Sequence, residues 1–153
     1  MVEAIFPVIP SEIPKRAVES IGRVPAFSFD SSSRKGTFSV VDGALRERNG
    51  IEAVKQWFEL MLRQRPGVIP IYRTENTYQP GVDTTIVNDK RFALGFVYAE
   101  IERNVRDTSA FCPAVRTVDS FEFQRKGRTL QVNFTARMHT GETVEVSVDV
   151  NSE

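Results

Sequence analysis

The 153-residue chain has one cysteine, one histidine and one tryptophan. A single thiol, Cys112, excludes an internal disulfide and fits a reducing compartment. A lone histidine, His139, cannot build a zinc site without a neighbouring cysteine or second histidine, so no metal and no cofactor is expected. Net charge is lacking too, because 20 Lys and Arg balance 20 Asp and Glu. No overall field gathers nucleic acid or an anionic membrane, and neither is expected as a partner. No apolar run reaches the ~18 residues of a spanning helix. The start, "MVEAIFPVIPSEIP", has no basic n-region, and Pro7, Pro10 and Pro14 interrupt any apolar h-region, so a signal peptide is not expected. Work or assembly in the cytoplasm is the expectation. Phosphate-cradling glycine loops, basic–aromatic interleaving, repeats and low-complexity tracts are also missing.

The chain does have the composition of a globular protein: 41% hydrophobic residues, 26% charged, and 11 phenylalanines. Its length suits one domain that buries about 70% of its unfolded surface. Pro7, Pro10, Pro14 and Pro25 all fall in residues 1–25 and favour extended backbone. Val2, Ile5, Phe6, Val8, Ile9 and Ile13 lie among them, and a merely solvating tail has no need of them. Residues 1–25 therefore read as an extended arm that packs on its own domain or a neighbour, the alternative being an unattached terminus. Residues 26–153 read as a single α+β domain.

Within it, "AFSFD" and "GTFSVVDG" read as short strands around the turn "SSSRKG", with a second turn at Asp42–Gly43. A helix follows from Asn49, the expected N-cap, with Glu52 as capping-box partner. Ile51, Ala53, Val54, Trp57, Phe58, Leu60, Met61 and Leu62 cover a wide apolar arc; Glu52, Lys55, Gln56, Glu59 and Arg63 form the opposite face. Pro66–Gly67 ends the helix, and "VIPIY" reads as a strand near an edge or bend. Residues 73–91 read as a long polar loop. A second helix is expected from Phe92 to about Asp107, capped by Asn88 or Asp89. Leu94, Val97, Tyr98, Ile101 and Val105 give it one apolar face, and Phe92, Phe96 and Ala99 another, as if sandwiched. In the last third, Leu130, Val132, Phe134, Ala136 and Met138, then Val144, Val146, Val148 and Val150, alternate with polar residues. That pattern predicts an antiparallel meander with one wet face, packed against the two helices.

Catalytic constellations are weak. Glu52 and Glu59 lie one heptad apart, but they share a face with Lys55 and Arg63 and read as a solvated ladder. A general acid needs a desolvated pocket that such a face does not supply. Glu102–Arg106 and Arg103–Asp107 read the same way. Cys112 could be a nucleophile only with His139 beside it; a small buried cysteine is the commoner case. Four features carry binding potential instead: the arm with Ile5 and Phe6, the loop with Tyr78, Pro80 and Gly81, the second helix face with Phe92 and Phe96, and the terminal strand with Thr143, Val144, Val146, Val148 and Val150. Exposed strand edges recruit partner strands.

The order of these elements resembles a family of contractile-tail baseplate wedge proteins, or sheath initiators, of myophages and related injection systems. Gly50, Ile51, Glu52, Ala53, Val54, Lys55, Gln56 and Trp57 match its helix, and Tyr72 the end of the following strand. "Tyr78-Gln79-Pro80-Gly81-Val82-Asp83" stands, with two residues inserted, where the family has a Tyr–Gly–aliphatic–acidic loop. Glu100, Ile101, Glu102 and Arg103 match the second helix, and Val118, Asp119, Phe121 and Phe123 the opening of the sheet. The resemblance spans about residues 26–150. It implies a structural, non-enzymatic virion component, assembled in the host cytoplasm in six copies per baseplate ring. Its implied partners are the tail sheath protein, other wedge proteins, and hub or tube-initiator proteins, with the sheet edge pairing with extended sheath arms. A Glu-Pro-Arg-type loop that grips wedge helices in one branch of the family is not present here. The alternatives are a cell-wall glycan hydrolase using paired glutamates and a small-ligand-binding α+β module.

Overall fold

The structure is a computed structural model and describes residues 20–30, 35–70 and 79–151. The fold is α+β. Its main body is a three-stranded antiparallel sheet of β7 (Val115–Lys126), β8 (Thr129–Met138) and β9 (Thr143–Asn151), in that order. Helices α1 (Gly50–Leu62) and α2 (Leu94–Ser109) pack on it, α1 against β9 and α2 against β7. Because a strand alternates its side chains between faces, the even-numbered residues Leu130 to Met138 and Val144 to Val150 all point into the core. There they meet Val54, Phe58 and Leu62 of α1 and Val97, Ile101 and Val105 of α2.

β7 breaks the two-residue period and keeps its apolar residues inside nonetheless. Val115, Val118 and Phe121 follow one another at intervals of three. The strand absorbs each extra residue in a bulge, one between Val115 and Thr117 and one between Asp119 and Glu122. Ser120, inside the second bulge, takes a positive φ of 57°. Phe121 then stacks on Phe134, and Phe123 on Tyr98 at 4.6 Å.

Residues before α1 form three two-stranded ribbons: β1 (Val24–Pro25) with β6 (Glu47–Arg48), β2 (Phe27–Phe29) with β3 (Gly36–Phe38), and β4 (Val40–Val41) with β5 (Ala44–Leu45). The turn between β4 and β5 is Asp42–Gly43, both with positive φ, as a tight two-residue hairpin requires. The ribbons meet at one point. Ala26 N–H donates to Arg46 O (2.8 Å), Arg46 N–H to Ser39 O (2.9 Å) and Ser39 N–H to Ala26 O (2.8 Å), closing a cycle. Gly36 is needed beside it, since a Cβ there would stand 2.0 Å from the Phe27 ring.

Several expectations are corrected. Gln56, read as solvent-facing, is buried. Its Oε1 accepts from Phe27 N–H (2.8 Å) and from Arg48 Nη1 (3.1 Å), while its Nε2 donates to Pro25 O (2.8 Å). This one side chain fastens the ribbons to α1. Gln56→Ala removes the side-chain partners of the half-buried Phe27 N–H and of Pro25 C=O, which water can partly replace. The expected cost is about 1 kcal/mol, measurable as a shift in the urea midpoint. Asn49 is the N-cap by backbone only: neither it nor Glu52 forms a capping box, and Glu52 lies 3.8 Å from Lys55 instead. α2 starts at Leu94, not Phe92, with Ala93 as its N-cap. Val68–Pro70 lie outside any strand, while Ile71 and Tyr72 fall outside the described residues.

The loop also departs from its reading. Its second half is a 3₁₀ helix, Thr84–Asn88, that sends Ile86 and Val87 into the core with Val82. Asp83 caps it, accepting from Thr85 N–H (3.0 Å). Arg91 grips Asp89 through both guanidinium and backbone, and this holds the half-buried carboxyl down at about 2.

Candidate functional site

The candidate site residues separate into three groups. Ile5, Phe6 and Tyr78 lie outside the described residues. Pro80 and Gly81 are buried inside this chain and are withdrawn as partner contacts. Gly81 N–H donates to Thr108 Oγ1 (3.1 Å), Thr108 Oγ1 donates back to Gly81 O (3.2 Å), and Val82 N–H donates to Gln64 O (3.0 Å). At Gly81, φ is +133° and a Cβ would meet Gln64 O at 2.5 Å, so the glycine serves an internal close approach. The third group is on the surface: Phe92, Phe96 and β9.

Phe92 and Phe96 are 40% and 50% exposed, with rings stacked at 5.2 Å. Ala99 is exposed as well. Among the described residues, α2 is therefore covered on one face only, and they do not form the expected sandwich. A second apolar surface escaped the sequence reading. Phe38, Val40, Val41 and Leu45 stand out from the ribbon tip, Val40 at 59% exposure. Below them a groove of about 290 Å³, lined by Ile21, Val24, Phe27, Phe38, Trp57 and Leu60 among others, runs between the ribbons and α1. The adjacent valines Val40 and Val41 were the available signal, since neighbours in a strand cannot both face inward.

β9 is the more specific feature. It pairs with β8 alone among the described residues and lies at the edge of the sheet. Its register to β8 runs without a shift from Arg137↔Thr143 to Thr129↔Asn151. Met138 N–H donates to Glu142 O (2.9 Å) at the head of the hairpin. Hydrogen-bonded and non-bonded pairs alternate along an antiparallel ladder. Val144, Val146, Val148 and Val150 are accordingly the positions bonded to β8. Thr143, Glu145, Ser147 and Asp149 turn their N–H and C=O groups away from it. The four valines, named above as partner-binding, are buried at their side chains. What they contribute is the anchoring of the strand; the open backbone belongs to the residues between them.

The opposite edge differs. β7 is interrupted by its two bulges, and Arg106 of α2 donates from Nη1 to Val118 O (2.6 Å). The same guanidinium lies 5.0 Å over the Phe121 ring and holds Glu102 at 2.7 Å. Bulges and a covering side chain both blunt a strand edge. Among the described residues β9 shows neither, and it contains no proline.

No protein-family model matches the sequence, and no curated protein matches it.

The residues weighed for chemistry each have a structural setting. Glu59 pairs with Arg63 at 3.2 Å and Glu52 with Lys55, each within α1. Glu100 pairs with Arg103 and Asn104 on α2, and its carboxyl is lowered chiefly by the hydrogen bond from Arg103. Cys112 is buried, and desolvation pushes its thiol up, opposite to the shift a nucleophile needs. His139 is exposed, and its backbone N–H donates to Ala114 O. Among the described residues, no group of three or more His, Cys, Asp and Glu side chains is placed to hold a metal ion.

Proposed function

We propose that this protein is a structural component of a contractile-tail baseplate, which joins wedge proteins to the first sheath ring and templates sheath assembly by strand pairing. The observation that carries this reading is β9: a nine-residue, unbulged edge strand with a row of outward backbone groups. Such an edge adds a partner strand through main-chain hydrogen bonds, with alternate side chains setting the register. The ordered helix, sheet and Val-Asp-x-Phe-x-Phe motifs that resemble the baseplate family support the same reading. Exposed Phe92 and Phe96, together with the ribbon tip, supply apolar surface for wedge, hub or tube-initiator contacts. Six copies in a ring would repeat each modest contact, so that avidity exceeds single-site affinity. The hydrolase alternative gains nothing from the geometry, because Glu52 and Glu59 each face a cation of their own helix rather than an apolar pocket.

The test is deletion of the gene, with electron microscopy of the particles encoded alongside it. Tail tubes without sheath are expected. Sheaths of normal length on baseplates lacking this protein would overturn the reading.

A further inference from the structure

We propose that the strand recruited by β9 is a basic one, an extended segment with Lys or Arg four residues apart on one face and apolar residues on the other. This rests on the strand-pairing reading of the same edge and names the partner's chemistry.

Thr143, Glu145, Ser147 and Asp149 present both the outward backbone of β9 and the side chains of its wet face. Glu145 and Asp149 are exposed and form no ion pair among the described residues. Their neighbours across β8 are Thr135 and Gln131, neither of them charged. The remaining lateral position beside each carboxylate is therefore on an incoming strand. Opposite charges directly across a strand pair are favourable and like charges unfavourable. Four residues of strand separate the two carboxylates by about 13 Å, which sets the spacing of the cations. On the other face, the incoming strand continues the layer of Val144, Val146 and Val148 and needs apolar side chains there.

The same charges argue against a second copy as the occupant. If two β9 strands met antiparallel about Ser147, Glu145 of each would face Asp149 of the other. β9 also carries no Lys or Arg, so a basic strand meets no like charge on it. The edge is thus open to a basic partner and guarded against itself.

The experiment uses the full chain and two labelled peptides, SVKVTVKVS and SVEVTVEVS, read by fluorescence anisotropy. Both sequences are palindromic, so strand direction does not matter. The lysine peptide is expected to bind at least about tenfold more tightly. That preference should fade as salt rises from about 0.1 M to about 1 M. Combined Glu145→Lys and Asp149→Lys substitution, at exposed positions, should reverse the preference while circular dichroism stays unchanged. Equal binding of both peptides, abolished by backbone N-methylation, would leave strand pairing standing and overturn the basic partner. Binding of neither peptide would overturn both. A wild-type dimer in sedimentation that Ser147→Pro disperses would refute the guarding role of the two carboxylates.

Discussion

Replacing Phe58 with alanine is expected to destabilise the fold by about 3–5 kcal/mol. The ring is fully buried and sits where helix and sheet meet. It packs edge-on to Phe134 at 5.0 Å and to Trp57 at 5.1 Å, so its removal opens a void that touches both layers. Phe134 in turn lies opposite Val146 in the β8–β9 register, which carries the loss to the middle of the open strand. The site cannot easily collapse. α1 is held from the far side by the bonds of Gln56 to Pro25 and Phe27, and its C-terminal end by Val82 N–H on Gln64 O. For a chain of this length each 1 kcal/mol moves the melting temperature by about 2–4 °C, so a fall of roughly 10 °C is expected. Urea unfolding followed by circular dichroism measures it. A loss below about 1 kcal/mol would show that α1 is not clamped as described.

The second large effect separates two neighbouring prolines. Ser147→Pro removes an N–H that points away from β8, and it should leave the fold intact while ending partner-strand pairing. Val146→Pro removes an N–H bonded to β8 and forces a ring into the core, which should cost about 3 kcal/mol or more. The contrast follows from the alternation that starts at Met138 and Glu142. Hydrogen exchange supplies an independent reading. The amides of Val144, Val146 and Val148 should exchange slowly in the isolated chain, and those of Glu145, Ser147 and Asp149 quickly until a strand is bound. Equal destabilisation by the two prolines would show that the outward backbone belongs to the other set of residues.

The sheet and both helices were legible because local periods report them. Leu130 to Met138 and Val144 to Val150 alternate strictly, and Val54, Phe58 and Leu62 recur every four residues. What was not legible depended on distant chain. Gln56 lies at a polar angle of its helix, and nothing local shows that the ribbon at Val24–Phe29 crosses over that side. The pairing of β1 with β6 joins segments more than twenty residues apart. Pro80–Gly81 carried ordinary turn chemistry, which marks a bend but not whether the bend faces solvent or Thr108. The core role of the 3₁₀ segment was missed, although the helix-like spacing of Val82, Ile86 and Val87 was there to show it. The bulges of β7 were written in the three-residue steps from Val115 to Val118 to Phe121. For the binding surfaces, the sequence pointed to the terminal strand, but only the ladder distinguishes anchoring valines from the residues whose backbone is open.

The meeting point of the ribbons has a consequence of its own. Each of Ala26, Ser39 and Arg46 gives one hydrogen bond and receives one from the next. No single pass of the chain can be peeled from that crossing without breaking two of the three bonds. Even with the Ala26 pass lost, Arg46 N–H stays on Ser39 O, so the base of the outlying tip at Val40–Leu45 remains closed.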